Sequence, residues 1–269
     1  MASSRYFNNT REVFALTIAG QRMYFIMSPK DMATVYKNTV SLTFDGFIRD
    51  LYTTFGMSRE GIKLMWQTHP TKSPDISTPN TKKFHLGEGV HREQLHPGAQ
   101  LEDITERYLD QFQQRLVWNE IRGSIISAGA QEGKVLTLYD WCADVLGHAA
   151  MNALFGDALL GLEPRLLEYF YTFDEESWKL TFQLPPLFAK KMHKAKDHGR
   201  NAYIRYFRLP ADQRSGACHY IRTVEAKQRK AGMNDTDIAI AAQMFFWGSV
   251  LMPAHPRYLL VISITNLLD

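Results

Sequence analysis

The residues able to do chemistry in this 269-residue chain are few, and their spacings mostly argue against a reaction of their own. His91 and His96, like His193 and His198, stand five apart. Two imidazoles that share a metal on one helical face need the i, i+4 spacing instead, so these are better taken as solvated or helix-surface histidines, and no metal site is expected. Gly87-Glu88-Gly89 runs into Val90, His91 and Arg92 without a third glycine, and Gly129 to Lys134 has the wrong spacing for a phosphate loop. No Gly-x-Ser-x-Gly elbow presents a nucleophilic serine. Cys142 and Cys218 lie far apart with no CxxC spacing, which suggests neither a disulfide scaffold nor structural zinc and fits a reducing compartment. Both are expected to be structural, Cys142 buried and Cys218 partly exposed.

The elements that must position any site are clearer. Val13 to Ile18 and Met23 to Met27 are short β-branched or aromatic runs around Gly20-Gln21, a hairpin pattern. Ser28-Pro29-Lys30-Asp31 then starts a helix: a capping serine, proline in the first turn, and an acid three residues after the cap. His69 to Lys83, rich in Pro, Ser and Thr, predicts an exposed loop, and everything after it predicts helix. Leu101, Ile104, Tyr108, Phe112 and Leu116 recur at helical spacing, as do Leu138, Trp141, Val145, Ala149 and Phe155 with Gly156 as the stop; each stripe is expected to face the core. Pro164 opens a helix through Leu166, Leu167, Phe170 and Phe173, and another spans about Ala217 to Lys230 before Gly232. Asn234, Asp235 and Thr236 offer caps for a helix whose Ile238, Ala241, Ala242, Phe245 and Phe246 surround it, so that helix should be buried.

Composition sets limits. With 45% hydrophobic residues the chain can bury a core of one large or two small domains. Its 31 basic against 28 acidic residues are too even for nucleic-acid binding by bulk charge, and no nucleic-acid partner is expected. MASSRYFNNTREVF lacks the apolar run of a signal peptide, and no stretch reaches the roughly 20 apolar residues of a spanning helix, so no anchor is expected. Asn8-Asn9-Thr10 and Asn234-Asp235-Thr236 match a glycosylation acceptor only as chance matches do. Lys190 to Arg208 carries seven basic residues, with Leu187, Phe188, Met192, Tyr203 and Phe207 as the apolar residues beside and between them. That pattern suits a membrane-surface helix, or the solvated face of a helix packed on its own domain.

Read in order, these texts resemble the N-terminal part of the cytochrome P-450 family of haem-thiolate monooxygenases, most closely fungal members similar to sterol 7-hydroxylases and prostacyclin synthase. VFALTIAGQRMYFIMSPKDMATVYKN resembles the family's first hairpin and B helix, GVHREQLHPG its C-helix region, and DWCADVLGHAAMNALFG its E helix. The helices that follow resemble the F and G pair that roofs the substrate pocket, and NDTDIAIAAQMFFWGS the start of the I helix above the haem. The resemblance covers residues 11–249 of a single partial domain, 1–269, and implies a mostly α fold: a small β-hairpin plus helices B to I, incomplete. It places Arg92 at the basic position that contacts a haem propionate, although Glu88 stands where the family has tryptophan. It also makes Phe245, Phe246, Trp247 and Ser249 substrate-pocket candidates.

After Ser249 the text departs from the family, as a frame change or retained intron would make it. Pro253 and Pro256 each cost a helix interior roughly 3 kcal/mol, so the helix should stop near Met252. Neither the Glu-x-x-Arg pair nor the cysteine ligand loop of the family stands among these residues. The resemblance therefore implies haem, a cytochrome reductase, a hydrophobic small-molecule substrate and an endoplasmic-reticulum membrane for the whole family. For this chain it predicts no bound haem, no catalysis alone, and a cytoplasmic or peripheral location with membrane contact through Lys190 to Arg208. The competing expectation is a non-catalytic hydrophobic-ligand-binding or scaffolding protein.

Overall fold

The structure, a computed structural model, describes residues 12–18, 21–38, 41–43, 45–66, 87–117, 126–127, 135–181 and 184–250. Strands β1 (Phe14–Ile18) and β2 (Gln21–Phe25) form the expected antiparallel hairpin. Its register sets Phe14 opposite Phe25, with stacked rings 5.1 Å apart, and closes by pairing Ile18 with Gln21. That pairing leaves a two-residue connection, so β2 begins and ends two residues before the Met23 to Met27 expected for it. Helix α1 (Pro29–Lys37) begins as its sequence says: Asp31 N–H donates to the Ser28 hydroxyl at 3.5 Å, with Pro29 in the first turn.

Helices α2 (Asp45–Phe55) and α3 (Arg59–Met65) meet at Gly56, whose φ of 92° suits a residue without Cβ. Beyond the expected loop at His69 to Lys83, which lies outside the described residues, come α4 (Glu88–Leu95) and α5 (Ala99–Arg115). Two corrections follow. The region is not wholly helical: β3 (Ile126–Ser127) and β4 (Val135–Leu136) pair in a ladder too short to show alternation. The α5 stripe reaches the core only in part: Leu101, Ile104, Tyr108 and Phe112 are half-buried, with Ile104 packed on the core, and Leu116 is exposed.

Helix α6 (Leu138–Phe155) buries Val145, Ala149, Met151, Ala153 and Phe155 and stops at Gly156, φ 69°. Helix α7 (Asp157–Leu162) leads to α8 (Leu166–Glu176), which starts two residues after Pro164 because Pro164 and Arg165 form a turn. Helix α9 (Trp178–Thr181) and a 3₁₀ turn at Pro186–Phe188 connect to α10 (Lys190–Arg208). Met192, Ala195, Gly199, Ala202, Tyr203, Tyr206 and Phe207 line one face of α10 and are buried against α8 and α12, so the apolar half of the basic segment is used inside the protein.

Helix α11 (His219–Lys230) ends before Gly232, φ 93°. Helix α12 (Asp235–Val250) starts with Asp237 N–H donating to Asn234 Oδ1 at 2.9 Å and is buried on most sides, as expected. The expected stop at Met252, the prolines and the rest of the divergent tail lie outside the described residues.

Two long-range ties fix the N-terminal helices to this core. Asp237 accepts from Ser58 N–H at 2.8 Å, from the Ser58 hydroxyl at 2.6 Å and from Asn234 Nδ2 at 2.8 Å, joining the starts of α3 and α12. Lys196 Nζ donates to Thr54 O at 2.8 Å and Arg200 Nη1 to Phe55 O at 3.3 Å. Two cations of α10 thus sit on the negative end of α2.

Candidate functional site

Each residue of a helix turns by about 100° from the last, so the consecutive aromatics of α12 point in different directions. Phe246 is fully buried, 4.7 Å from the Phe170 ring and 6.3 Å from Phe155. Phe245 points the other way, stacked on Tyr220 at 4.3 Å with the His91 edge at 5.8 Å. Trp247 packs on Phe173 at 5.5 Å and Phe55 at 6.1 Å, and its indole N–H donates to the buried Asp174 at 3.1 Å. Ser249 is exposed.

Under the crossing of α8 and α10 over α12 lies an enclosed cavity of about 10 Å³, lined by Met151, Phe170, Phe173, Tyr203, Gln243 and Trp247 among others. Of the four pocket candidates only Trp247 reaches it. Gln243 is the polar lining residue that sequence reasoning missed, though its signal was there: the one amide in an apolar run, four residues before Trp247 and hence on the same face. Met151 and Tyr203 come from other helices and carried no local signal.

Burial sets the electrostatics. It lowers the Lys196 ammonium below the usual lysine range, and it raises the Tyr203 phenol well above its ordinary value and that of Tyr206 to about 12. No group of three His, Cys, Asp or Glu that could hold a metal ion occurs among the described residues.

Arg92 lies apart from this cavity. It is exposed on α4 and lines an open groove with Gly89, Glu93, His96, Gly98 and Gln100. Gln94 fixes that corner, donating to Gln100 O at 2.5 Å and accepting Tyr220 N–H at 3.0 Å. A guanidinium can pair an anionic group such as a propionate in fork geometry.

The cysteines reverse the expectation: Cys218 is fully buried and Cys142 half-buried. Cys218 precedes α11, its N–H donating to Leu154 O at 2.8 Å, and burial pushes its thiol up. A haem-thiolate iron needs an ionised, accessible sulfur. Cys218 is neither, and Cys142 sits within α6 rather than in a ligand loop, so neither fits the iron.

A mostly helical chain that opens on a small hairpin, with a buried aromatic helix crossed by two others, is consistent with part of the cytochrome P450 fold. The comparisons place it near one fungal enzyme. The chain is 24% identical over 195 residues to the cytochrome P450 monooxygenase poxD of Penicillium oxalicum, a match covering 71% of this chain and 36% of that protein. It thus spans about a third of the length of the curated relative, and the similarity supports cytochrome P450 kinship at the level of the family. No family model matches. No helix among the described residues is long and apolar enough to cross a membrane.

Proposed function

We propose that this chain forms the substrate roof and central helix of a cytochrome P450-type monooxygenase of fungal secondary metabolism, acting on a hydrophobic small molecule. The observation that carries this reading is α12, buried on most sides and crossed by α8 and α10, in a chain similar to a fungal monooxygenase over most of its length. In that family haem supplies the oxygen chemistry and a reductase the electrons. Because neither cysteine fits the iron, residues 12–250 are assigned the tasks of binding the substrate and excluding water, with Arg92 as the propionate contact, and the chain does not oxidise substrate alone.

Translating the genomic DNA beyond the codon for Ser249 in every frame tests the family reading. Glu-x-x-Arg and a cysteine ligand loop are the expected result, and a downstream sequence with neither overturns it. A thiolate-type reduced-CO band from the 269-residue chain itself, lost in Cys142→Ser or Cys218→Ser, would sink the claim that it is inactive alone.

Membrane contact is proposed at a narrower place than the whole basic segment. Leu187 and Phe188 are each 66% exposed, next to exposed Lys190, Lys191 and Lys194. Apolar tips beside lysines suit an anionic lipid surface.

A further inference from the structure

The cavity beneath α8 and α10 has room for about one water-sized molecule. Most of its wall is apolar or aromatic: Met151, Leu166, Phe170, Phe173 and Ala195 contribute carbon and sulfur, and the Trp247 N–H is already given to Asp174. Gln243 differs. It is 7% exposed, its Nε2 donates to Lys196 O at 3.1 Å, and its Oε1 accepts no hydrogen bond from any described residue. The amide cannot be turned over, because that would set two oxygens against each other at Lys196. Gly199 makes the arrangement fit: a Cβ there would lie 2.8 Å from Gln243 Nε2.

A buried acceptor left without a donor lowers the folding constant roughly tenfold or more. The polar side chains of the wall include Gln243, with its Oε1, and Tyr203, whose own hydrogen points at the Met151 sulfur 3.7 Å away; Tyr169 also lines it. A cation finds no carboxylate in the wall, and an anion is disfavoured by the amide oxygen. We propose that this cavity is a binding site for one neutral, water-sized O–H donor, a long-lived water held on Gln243 Oε1 between α10 and α12. The site stands independently of any monooxygenase role.

The test uses the intact chain, labelled with ¹⁵N. A water-to-amide Overhauser effect at the Gln243 side chain, with a residence time beyond nanoseconds, is expected in the wild type. Gln243→Leu should abolish it and lower the folding constant roughly fivefold, the loss of a net hydrogen bond. If instead no such water is seen in the wild type, or Gln243→Leu raises the folding constant as removal of an unpaired acceptor would, the proposal is overturned. The wild-type measurement decides the matter even if the variant does not fold.

Discussion

Asp237 holds two helix starts at once, and its removal should be felt at both. Asp237→Ala strips Ser58 and Asn234 of three hydrogen bonds and leaves the Ser58 N–H without its acceptor. A loss of about 2–4 kcal/mol, read from urea unfolding, is expected, with Asp237→Asn costing less because one acceptor oxygen remains. Tyr206 makes a prediction about pH. Its hydroxyl donates to Phe155 O at 2.9 Å, and burial raises its folded pKa to about 12 from an ordinary value near 10. The folded protein keeps this proton longer than the unfolded chain does, so the contribution is complete below pH 10 and declines as pH rises from about 10 toward 12. Tyr206→Phe should cost about 1 kcal/mol at neutral pH and make the alkaline limb of a stability profile less steep. At this scale the sequence showed the Asn234 cap, because caps are local, but not the Ser58 partner 179 residues away.

Among the elements, helix ends are better defined by the chain than helix faces. Gly156 ends α6 with φ 69°, and a Cβ there would come within 2.9 Å of the Gly216 backbone. Gly156→Ala therefore meets both a disfavoured conformation and a backbone clash, and should lower stability by roughly 2–3 kcal/mol in thermal melts. Ser28-Pro29 and Gly156 were legible for the same reason: a cap or a stop is encoded within a few residues. The α5 stripe was not. Leu101, Ile104, Tyr108 and Phe112 have core periodicity, yet burial depends on what lies opposite, and among the described residues α5 packs chiefly on α6. The two-residue β3–β4 ladder was too short for any periodicity to announce it. Trp247 could be read as facing the pocket from its helix, whereas Phe245 and Phe246 could not be sorted between faces without knowing where α8, α10 and α11 cross.

At the scale of the molecule, an aromatic core and an exposed apolar corner divide the surface into parts with different tasks. Phe155, Phe170, Tyr203, Tyr206 and Phe246 interlock at ring distances between 4.7 and 6.3 Å, tying α6, α8, α10 and α12 into one body. Leu187 and Phe188 lie outside it. The double change Leu187→Ser with Phe188→Ser should leave the melting temperature unchanged and reduce partition onto anionic vesicles tenfold or more, measured by co-sedimentation. Equal partition of variant and wild type would remove the membrane assignment. The paired cations on α2 carry a consequence of a different kind, for the order in which the chain is built. Thr54 and Phe55 receive Lys196 and Arg200 from 142 and 145 residues downstream, and Ser58 waits still longer for Asp237. A ribosome adding 5–20 residues each second makes the partners of those groups roughly 7–36 s after the groups themselves, which stay hydrated meanwhile. The first helices emerge early, but these ties to the core can form only after most of the chain has been made.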